Sequence, residues 1–218
     1  MKEYPSILGP ADSLPLPCIA FTKYDGSNLR FRWDRKAGWC QFGTRRRLFT
    51  ERDPEYGEAV PLFLRKYAEG VERGIRDDPH FRRAEEVLCF CEFFGPHSFA
   101  GQHDPAHPVL AAAGVTTNEP KDLVLFDVNV HKKGLMAPRH FLEMFGQLPV
   151  AEVVYEGLLS PQFIGDVRGG KYPVREGVVA KGLEGKAPHG IWMRKVKTTA
   201  YLEELKRRFG ADWEQYGE

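Results

Sequence analysis

A chain of 218 residues is long enough for one substantial domain or at most two small ones. Its 42% hydrophobic and 12% aromatic residues suit a globular core. No run reaches the ~18–20 apolar residues of a membrane-spanning helix, and the N-terminus lacks the apolar segment of a signal peptide. We therefore expect a soluble, cytoplasmic protein with no membrane partner. The formal net charge is +1, so total charge alone does not indicate a nucleic-acid partner.

Three segments near the N-terminus alternate apolar and polar side chains, which is the pattern of half-buried strands. They cover Cys18 to Lys23, Asn28 to Trp33 and Trp39 to Arg45, and turn residues separate them. We therefore predict three consecutive antiparallel strands. Glu58 to Arg76 then carries apolar residues at helical spacing and is predicted as a helix.

The rest of the chain mixes strands and helices without regular β-α-β alternation. Further strands are predicted at Val87–Phe93, Leu123–Val130, Glu176–Lys181 and Ile191–Lys197, with helices at Arg139–Gly146 and from Thr199 onward. The connecting segments Gly95–Asp122 and Glu156–Pro173 are predicted as long loops, which are commonly functional or mobile. This order of elements favours an antiparallel α+β domain.

Basic residues are concentrated in two segments, although the total charge is close to zero. The first basic segment, Arg30 to Arg47, contains one acidic residue, Asp34, and seven basic residues, which are Arg30, Arg32, Arg35, Lys36, Arg45, Arg46 and Arg47. The second, Arg194 to Arg208, has six basic residues against two acids. Such segments either form a track for phosphates or are ordinary solvated surface.

Lys23 ends an apolar strand and is followed by Tyr24-Asp25-Gly26, an unusual place for a surface charge. A lysine is a nucleophile only when its amine is neutral, so its pKa must fall from about 10.4 through burial or neighbouring cations. The alternative is a hairpin turn in which Asp25-Gly26 reverses the chain. The tetrapeptide alone does not decide between a nucleophile and a turn.

The order of six short motifs resembles that of the covalent nucleotidyltransferases, a superfamily of ATP-dependent DNA ligases, RNA ligases and mRNA-capping enzymes. The motifs fall roughly between residues 18 and 208. They are Lys23-Tyr24-Asp25-Gly26, Thr44-Arg45, Cys91-Glu92-Phe93-Phe94-Gly95, Leu125-Phe126-Asp127-Val128, Arg175-Glu176-Gly177-Val178-Val179-Ala180-Lys181 and Arg194-Lys195-Val196-Lys197. The resemblance implies a nucleotidyltransferase fold of the ligase or ATP-grasp-like type, with the nucleotide between two antiparallel sheets.

The same resemblance implies a role for each matched residue. Lys23 would form a lysyl-AMP intermediate, ATP would be the nucleotide, and Mg²⁺ would offset phosphate charge. Asp127 and Glu176 would hold the metal through water. The implied nucleotide-binding residues are Lys23, Asp25, Gly26, Asn28, Arg45, Glu92, Phe126, Glu176, Lys181, Lys195 and Lys197.

Several of these residues also have a plainer interpretation. Glu92 and Glu176 fit strand-end acids facing water, and Phe126 fits an ordinary core aromatic whose neighbour Asp127 points to the opposite face. Spacing does not separate Arg45 from Arg46 and Arg47 as the phosphate-contacting arginine. Lys195 and Lys197, two apart on a strand, are predicted to share a face and to neutralise a triphosphate.

Two details resemble the nick-sealing RNA ligases in particular. These are Gly26-Ser27-Asn28 and the Glu92-Phe93-Phe94-Gly95-Pro96 segment with Gly101 beyond it. We therefore expect an RNA ligase that passes AMP to an RNA 5′-phosphate and joins it to a 3′-hydroxyl. The alternatives are a compact DNA ligase and a non-catalytic nucleic-acid-binding module.

About twenty residues follow Lys197. The related ligases and capping enzymes carry an OB-fold or a helical domain there. We therefore expect a single nucleotidyltransferase domain over residues 1–218 without the usual clamp. Its contacts with RNA would be few, and a protein partner supplying the clamp is compatible with that expectation.

Overall fold

The computed structural model describes residues 1–10, 15–117, 119–183 and 190–216. The chain forms two compact units, and each is considered by itself. The first comprises Met1–Tyr4 with Asp25–Val150, and the second comprises Pro5–Tyr24 with Ala151–Glu218. The expectation of one domain over the full chain stays a prediction.

Ten strands and six α-helices lie in the described residues. The strands are β1 (Leu16–Lys23), β2 (Ser27–Asp34), β3 (Gly38–Thr44), β4 (Leu48–Phe49), β5 (Glu86–Phe94), β6 (Asp122–Val130), β7 (Gly134–Leu135), β8 (Val153–Leu159), β9 (Gly177–Gly182) and β10 (Met193–Lys197). The helices are α1 (Ala59–Phe63), α2 (Glu69–Asp77), α3 (Pro108–Ala112), α4 (Pro138–Phe145), α5 (Pro161–Arg168) and α6 (Thr199–Phe209), with a 3₁₀ helix at Gly210–Gln215.

The first unit is built on a six-stranded antiparallel sheet in the order β4-β3-β2-β5-β6-β7. Leu29 lies opposite Cys91 and Cys91 opposite Leu125, so the apolar residues of adjacent strands share one face. Phe63 of α1, Val71 of α2 and Phe141 of α4 join the same buried cluster. This face is therefore the core of the first unit, and the opposite face remains for polar side chains.

One nearly continuous helix, predicted at Glu58 to Arg76, covers that core. It consists of α1, a π-helical turn at Leu64–Ala68 and α2. The turn places the Tyr67 hydroxyl 2.6 Å from the carbonyl oxygen of Leu123 and 2.7 Å from that of Pro149, so that both oxygens share its one proton. These bonds fasten the helix to the edge of the sheet core.

The second unit contains a four-stranded antiparallel sheet in the order β10-β9-β1-β8. Its apolar face comprises Cys18, Ala20, Val178, Ala180 and Val196, packed with Phe163 and Val167 of α5. Every second residue of β1, β9 and β10 is thus used in this small core. The alternate residues point to the other face, which carries the lysines described below.

Two expectations about the chain path were wrong. β1 pairs with β8 and β9, whereas β2 pairs with β3 and β5, so Asp25-Gly26 does not close a hairpin between consecutive strands. Both segments predicted as loops contain regular structure, because α3 lies within Gly95–Asp122, and Glu156–Pro173 contains the end of β8 and all of α5. Ser160 begins that helix because its hydroxyl accepts from the Phe163 amide at 3.2 Å.

The predicted fold class is confirmed, because helices combine with two antiparallel sheets. Within the described ranges, no helix has both the length and the apolar character needed to cross a bilayer.

His103 belongs to the core of the first unit rather than to a polar loop surface. Its ring lies edge-on to Phe93 at 4.9 Å and to Tyr56 at 5.8 Å. Among the described residues neither ring nitrogen has a hydrogen-bond partner. Burial is the main cause that lowers the pKa of His103 to about 4, and the charge of Lys121 adds to the effect. The imidazole is therefore neutral near pH 7.

We predict that His103 makes the fold sensitive to mild acid. The pKa of His103 is about 4 in the folded protein and about 6.5 in the unfolded chain. Its contribution to the free energy of unfolding is therefore complete above pH 6.5 and is lost as the pH falls towards 4. The full loss is on the order of 3 kcal/mol. Urea unfolding at several pH values should show His103→Leu with a flatter profile than the parent. Parallel profiles for the two proteins would contradict this assignment.

Candidate active site

Four lysines lie on the face of the four-stranded sheet that faces away from its apolar core. Lys23 and Lys197 are both directly opposite Gly177, one from each side of β9. Lys195 is two residues from Lys197 on β10, and Lys181 is four residues from Gly177 on β9. The alternation of side chains along a strand therefore brings all four to one face, as predicted for Lys195 and Lys197.

Glu176 joins two of these lysines through a single oxygen. Its Oε1 lies 2.8 Å from Lys23 Nζ and 3.0 Å from Lys197 Nζ. The side chains of Glu176 and Lys197 are 4% exposed, and that of Lys23 is 24% exposed. We call Lys23, Glu176 and Lys197 the lysine–glutamate cluster. With two ammonium groups for one carboxylate, it has a net positive charge suited to an anion.

The second carboxylate oxygen of Glu176 is buried, and no described residue forms a hydrogen bond with it. A buried carboxylate oxygen without a partner is costly, and a hydrated cation or a ligand hydroxyl would satisfy it. The interpretation of Glu176 as a strand-end acid facing water is therefore wrong. Within the described part of the chain, no group of three or more His, Cys, Asp or Glu side chains forms a ready-made metal site.

Gly177 makes the cluster possible. Its φ is +150°, and an added Cβ would lie 2.0 Å from the carbonyl oxygen of Val196 on β10. A side chain at this position would separate β9 from β10. Thr198 fixes the end of β10, because its hydroxyl donates to the Arg175 carbonyl at 2.8 Å and accepts from the Tyr201 amide at 3.2 Å. Both residues hold Glu176 between the two lysines.

Lys181 is also buried, and its Nζ lies 4.8 Å from the centre of the Phe21 ring. This cation–π geometry stabilises a cation away from bulk water. Lys195 is half-buried, and its backbone amide donates to Leu8 at 3.0 Å. The two side chains add further positive charge to the face that carries the lysine–glutamate cluster.

The polar face of the first unit gathers another set of the predicted residues. Asn28 on β2 lies directly opposite Glu92 on β5, so their side chains are neighbours on that face. Phe90 shares the face and its ring stacks with Phe126 at 6.4 Å. Amide, carboxylate and aromatic groups thus lie together on a sheet whose other face is apolar core.

The prediction that Phe126 and Asp127 point to opposite faces is wrong. The pairing of β5 with β6 shifts between Phe90 and Cys91, which leaves Phe126 as the extra residue of a bulge. As a result Tyr4 touches both neighbours: its ring lies edge-on to Phe126 at 5.1 Å, and its hydroxyl donates to Asp127. Burial and the Asp127 carboxylate raise the pKa of Tyr4 well above its usual value.

Asp127 is thereby a buried hydrogen-bond acceptor for Tyr4 rather than a free carboxylate. Phe126 is half-buried between the rings of Tyr4 and Phe90, away from the main core of the first unit. The interpretation of Phe126 as an ordinary core aromatic is therefore wrong. Tyr4 was missed in the sequence, where nothing near the N-terminus signals a contact 123 residues away.

Asp25 and Gly26 hold a distant turn. Both oxygens of Asp25 accept backbone amides, from Ala100 at 3.0 Å and from Gly101 at 2.8 Å. Ala100 and Gly101 have positive φ values of 52° and 75°, so the bonds stabilise a tight turn. A Cβ on Gly26 would lie 2.3 Å from the Phe93 carbonyl, which explains the glycine. Asp25 is thus engaged with the backbone.

The first basic segment is only partly available to a ligand. Arg30 is buried, and its guanidinium donates to the carbonyls of Met1, Lys2 and Thr44. Arg32 pairs with Glu86 at 2.7 Å. Arg30 and Arg32 are therefore not available to a phosphate track, and a track over the rest of this segment stays a prediction.

Among the three consecutive arginines, Arg47 pairs with Asp53 and also with Glu55 at 3.3 Å. Arg45 and Arg46 occupy the exposed turn between β3 and β4, which the Thr44 hydroxyl caps by accepting from the Arg46 and Arg47 amides. The choice for a phosphate contact is therefore narrowed to Arg45 and Arg46.

The sequence matches no family model and no curated protein. Solved structures do match. A protein of Aquifex aeolicus named as an ATP-dependent DNA ligase aligns with a TM-score of 0.61 and 17% identity, over 99% of this chain and 57% of that one. A mutant Naegleria gruberi RNA ligase with ATP and Mn aligns with a TM-score of 0.55 and 19% identity, over 88% and 53%.

An archaeal ATP-dependent RNA ligase aligns with a TM-score of 0.53 and 15% identity, over 99% of this chain and 55% of that one. The chain has the nucleotidyltransferase fold that these ligases share. It spans just over half the length of the structures it matches.

We predict that Gly177→Ala destabilises the protein by more than about 3 kcal/mol, because the new methyl group overlaps the β10 backbone in a strained conformation. Gly165→Ala in α5 is the matched control. A Cβ there meets nothing within 4 Å, and the change should stabilise by up to about 1 kcal/mol. The measurement is chemical unfolding of both variants. Equal stability of the two would show that Gly177 is not needed for the close strand contact.

Proposed function

We propose that the chain is an ATP-dependent RNA ligase whose nucleophile is Lys23. The observation that carries the proposal is the lysine–glutamate cluster, in which Lys23 and Lys197 share one oxygen of Glu176. It occurs at the end of β1 in a fold shared with ATP-dependent ligases. A surface lysine at a turn would have no reason to meet a buried carboxylate there.

In the first step Lys23 Nζ attacks the α-phosphorus of ATP. A phosphorus–nitrogen bond forms, the bond between the α-phosphorus and its bridging oxygen to the β-phosphate breaks, and pyrophosphate leaves. The lysine must lose a proton, and Glu176 Oε1 at 2.8 Å is within hydrogen-bond reach of it. Lys197, with Lys195 on the same sheet face, neutralises the phosphate oxygens as charge develops on them.

A divalent cation fits Glu176 better than Asp127. The free oxygen of Glu176 is buried beside two lysines, whereas Asp127 is committed to Tyr4. A hydrated Mg²⁺ would supply charge neutralisation of the phosphates, which is the usual role of this ion in phosphoryl transfer. Because the described residues form no dedicated metal cage, Glu176 would contact the cation through its water molecules.

The polar face of the first unit, taken by itself, offers groups of the kind that bind a nucleoside. Phe126 offers an aromatic surface for adenine, with Tyr4 and Phe90 holding the ring in place. Glu92 offers a carboxylate for the ribose hydroxyls, and Asn28 lies opposite it. Arg45, or its exposed neighbour Arg46, would contact a phosphate from the turn between β3 and β4.

RNA is favoured over DNA by the two segments that resemble nick-sealing RNA ligases. Ser27 belongs to the first, and its hydroxyl donates to the carbonyl of Gly101 at the end of the second. Asp25, which directly precedes the first, accepts from the amides of Ala100 and Gly101. The segments therefore act as one structural element. In the later steps AMP passes to an RNA 5′-phosphate, and a 3′-hydroxyl then displaces it to form the phosphodiester.

A DNA ligase is the second candidate, because the Aquifex aeolicus structure named as a DNA ligase has the higher TM-score of the three described. A nucleic-acid-binding module without catalysis is the third. A DNA ligase would differ from the proposed RNA ligase in sealing DNA rather than RNA strands. A binding module would differ from both in forming no covalent intermediate with AMP.

We predict that incubation with labelled ATP and Mg²⁺ attaches one AMP to the protein. Lys23→Arg should abolish labelling, because the guanidinium keeps the charge but is not a nucleophile near neutral pH. Lys36→Ala, which removes an exposed lysine between β2 and β3, is the control and should label like the parent. Undiminished labelling of Lys23→Arg would mean that another residue carries the nucleotide.

The choice of strand gives a further prediction. An RNA 2′-hydroxyl both donates and accepts hydrogen bonds, and the Asn28 side-chain amide can accept a hydrogen bond through its oxygen and donate one through its nitrogen. We expect an RNA nick to be sealed about tenfold faster than the same nick in DNA, which corresponds to one hydrogen bond. Asn28→Ala should reduce that ratio. A parent protein that seals DNA faster would place this chain with the DNA ligases.

A further inference from the structure

The first unit has a second concave surface, at the end of its sheet where β5 begins and β6 ends. It encloses about 330 Å³ between the segment that precedes β5 and the turn that follows β6. Its polar and apolar walls include Pro79, His80, Arg83, Val130, Lys132 and Lys133. We call this the basic cavity.

The cations of the basic cavity are available for a ligand. In the parts of the chain that the structure describes, Arg83, Lys132 and Lys133 make no side-chain hydrogen bond or ion pair, and all three are exposed. Glu85 is the carboxylate in the lining, and it lies 3.9 Å from Arg35. By contrast, four arginines of the first basic segment contact carbonyls or acids, and they are Arg30, Arg32, Arg35 and Arg47.

Both walls of the cavity are fixed by the backbone. Lys132 has a φ of +64°, and the turn around it is closed by bonds from His131 to Glu86 at 3.0 Å and from Lys133 to Val130 at 2.9 Å. On the other wall, one oxygen of Asp78 accepts from the His80 amide at 2.7 Å, and the other oxygen pairs with His140 at 2.8 Å. The two segments that carry the cations are therefore fixed around a preformed space.

We propose that the basic cavity binds one phosphodiester-linked nucleotide of a single-stranded segment of the RNA substrate. Arg83, Lys132 and Lys133 contact its phosphates. The cavity also suits an unstacked base. Its lining presents the imidazole plane of His80, the guanidinium plane of Arg83 and small apolar surfaces of Pro79 and Val130. The volume is in the range of pockets that enclose a small ligand, and a bare phosphate would leave much of it empty.

The inference rests on the proposed action on polynucleotides, and within the first unit it places the bound nucleotide at the opposite end of β5 from Glu92, the carboxylate proposed for the ribose. Glu86 directly follows the lining residue Glu85, and it is six residues along β5 from Glu92, which is about 20 Å of extended strand. At 3.4 Å per nucleotide, that distance corresponds to about six nucleotides of a helical strand. The cavity should therefore contribute to the binding of long strands and not of short ones.

The test compares two triple variants of the full chain in RNA-binding titrations. The first, Arg83→Gln with Lys132→Asn and Lys133→Gln, removes three charges, and asparagine suits the positive φ at position 132. The control removes three exposed arginines from the helix in α1–α2, as Arg65→Gln, Arg73→Gln and Arg76→Gln. Both lower the net charge equally. Single-stranded 5′-phosphorylated RNAs of about 20 and about four nucleotides are the probes.

For the longer RNA we expect the cavity variant to bind about tenfold more weakly than the control variant, and the slope of log affinity against log salt to fall by about 2. The shorter RNA should bind both variants alike. Equal affinities of the two variants for the longer RNA would overturn the proposal. An equal loss for the shorter RNA or for AMP would also overturn it, since the cavity would then hold a small anion.

The two proposals fail separately. AMP labelling should be unchanged in the cavity variant, because no residue of the lysine–glutamate cluster is altered. If the parent protein takes up no AMP but the cavity variant still loses affinity for long RNA, the ligase proposal fails and the cavity assignment stands.

Discussion

The sharing of one Glu176 oxygen by Lys23 and Lys197 is the interaction on which the candidate site depends. Both partners of the buried pair are nearly inaccessible to water, so the pair adds little net stability, while removal of one partner costs about 3–5 kcal/mol. The contact requires Lys23 and Lys197 to flank Gly177 in exact register across three strands. The backbone of Gly177 and the Thr198 hydroxyl keep that register, and the positive charge that results favours an anionic ligand.

The same division between an apolar face and a functional face organises each sheet. In the second unit, alternate residues of β1, β9 and β10 provide either the small core or the lysines. In the first unit, Leu29 and Cys91 lie in the core while Asn28 and Glu92 lie on the polar face. A bulge in β6 adds Phe126 and Asp127 to that face, where Tyr4 anchors them. Stability and the proposed chemistry therefore use different faces of the same strands.

Local patterns predicted most of the strands, the long helix and the common face of Lys195 and Lys197, because side-chain alternation is a property of short segments. The partner of Lys23 was not predictable in the same way, since it depends on the pairing of β1 with β9 rather than with β2. The bulge at Phe126 and the contact of Tyr4 with Asp127 depend on packing between distant segments. Helix α5 was missed although Ser160-Pro161 is a typical helix start, because the segment that contains it is long and rich in Gly and Pro.

The most direct measurement is the rate at which Glu176→Gln acquires AMP from ATP, compared with the parent protein. Glutamine keeps the size of the side chain but removes the charge that holds both lysines and accepts the proton. We predict a rate at least about 100-fold lower, with the chain still folded as judged by its unfolding transition. A Glu176→Gln protein that is adenylylated at the parental rate would contradict the assignment of the lysine–glutamate cluster as the reaction centre.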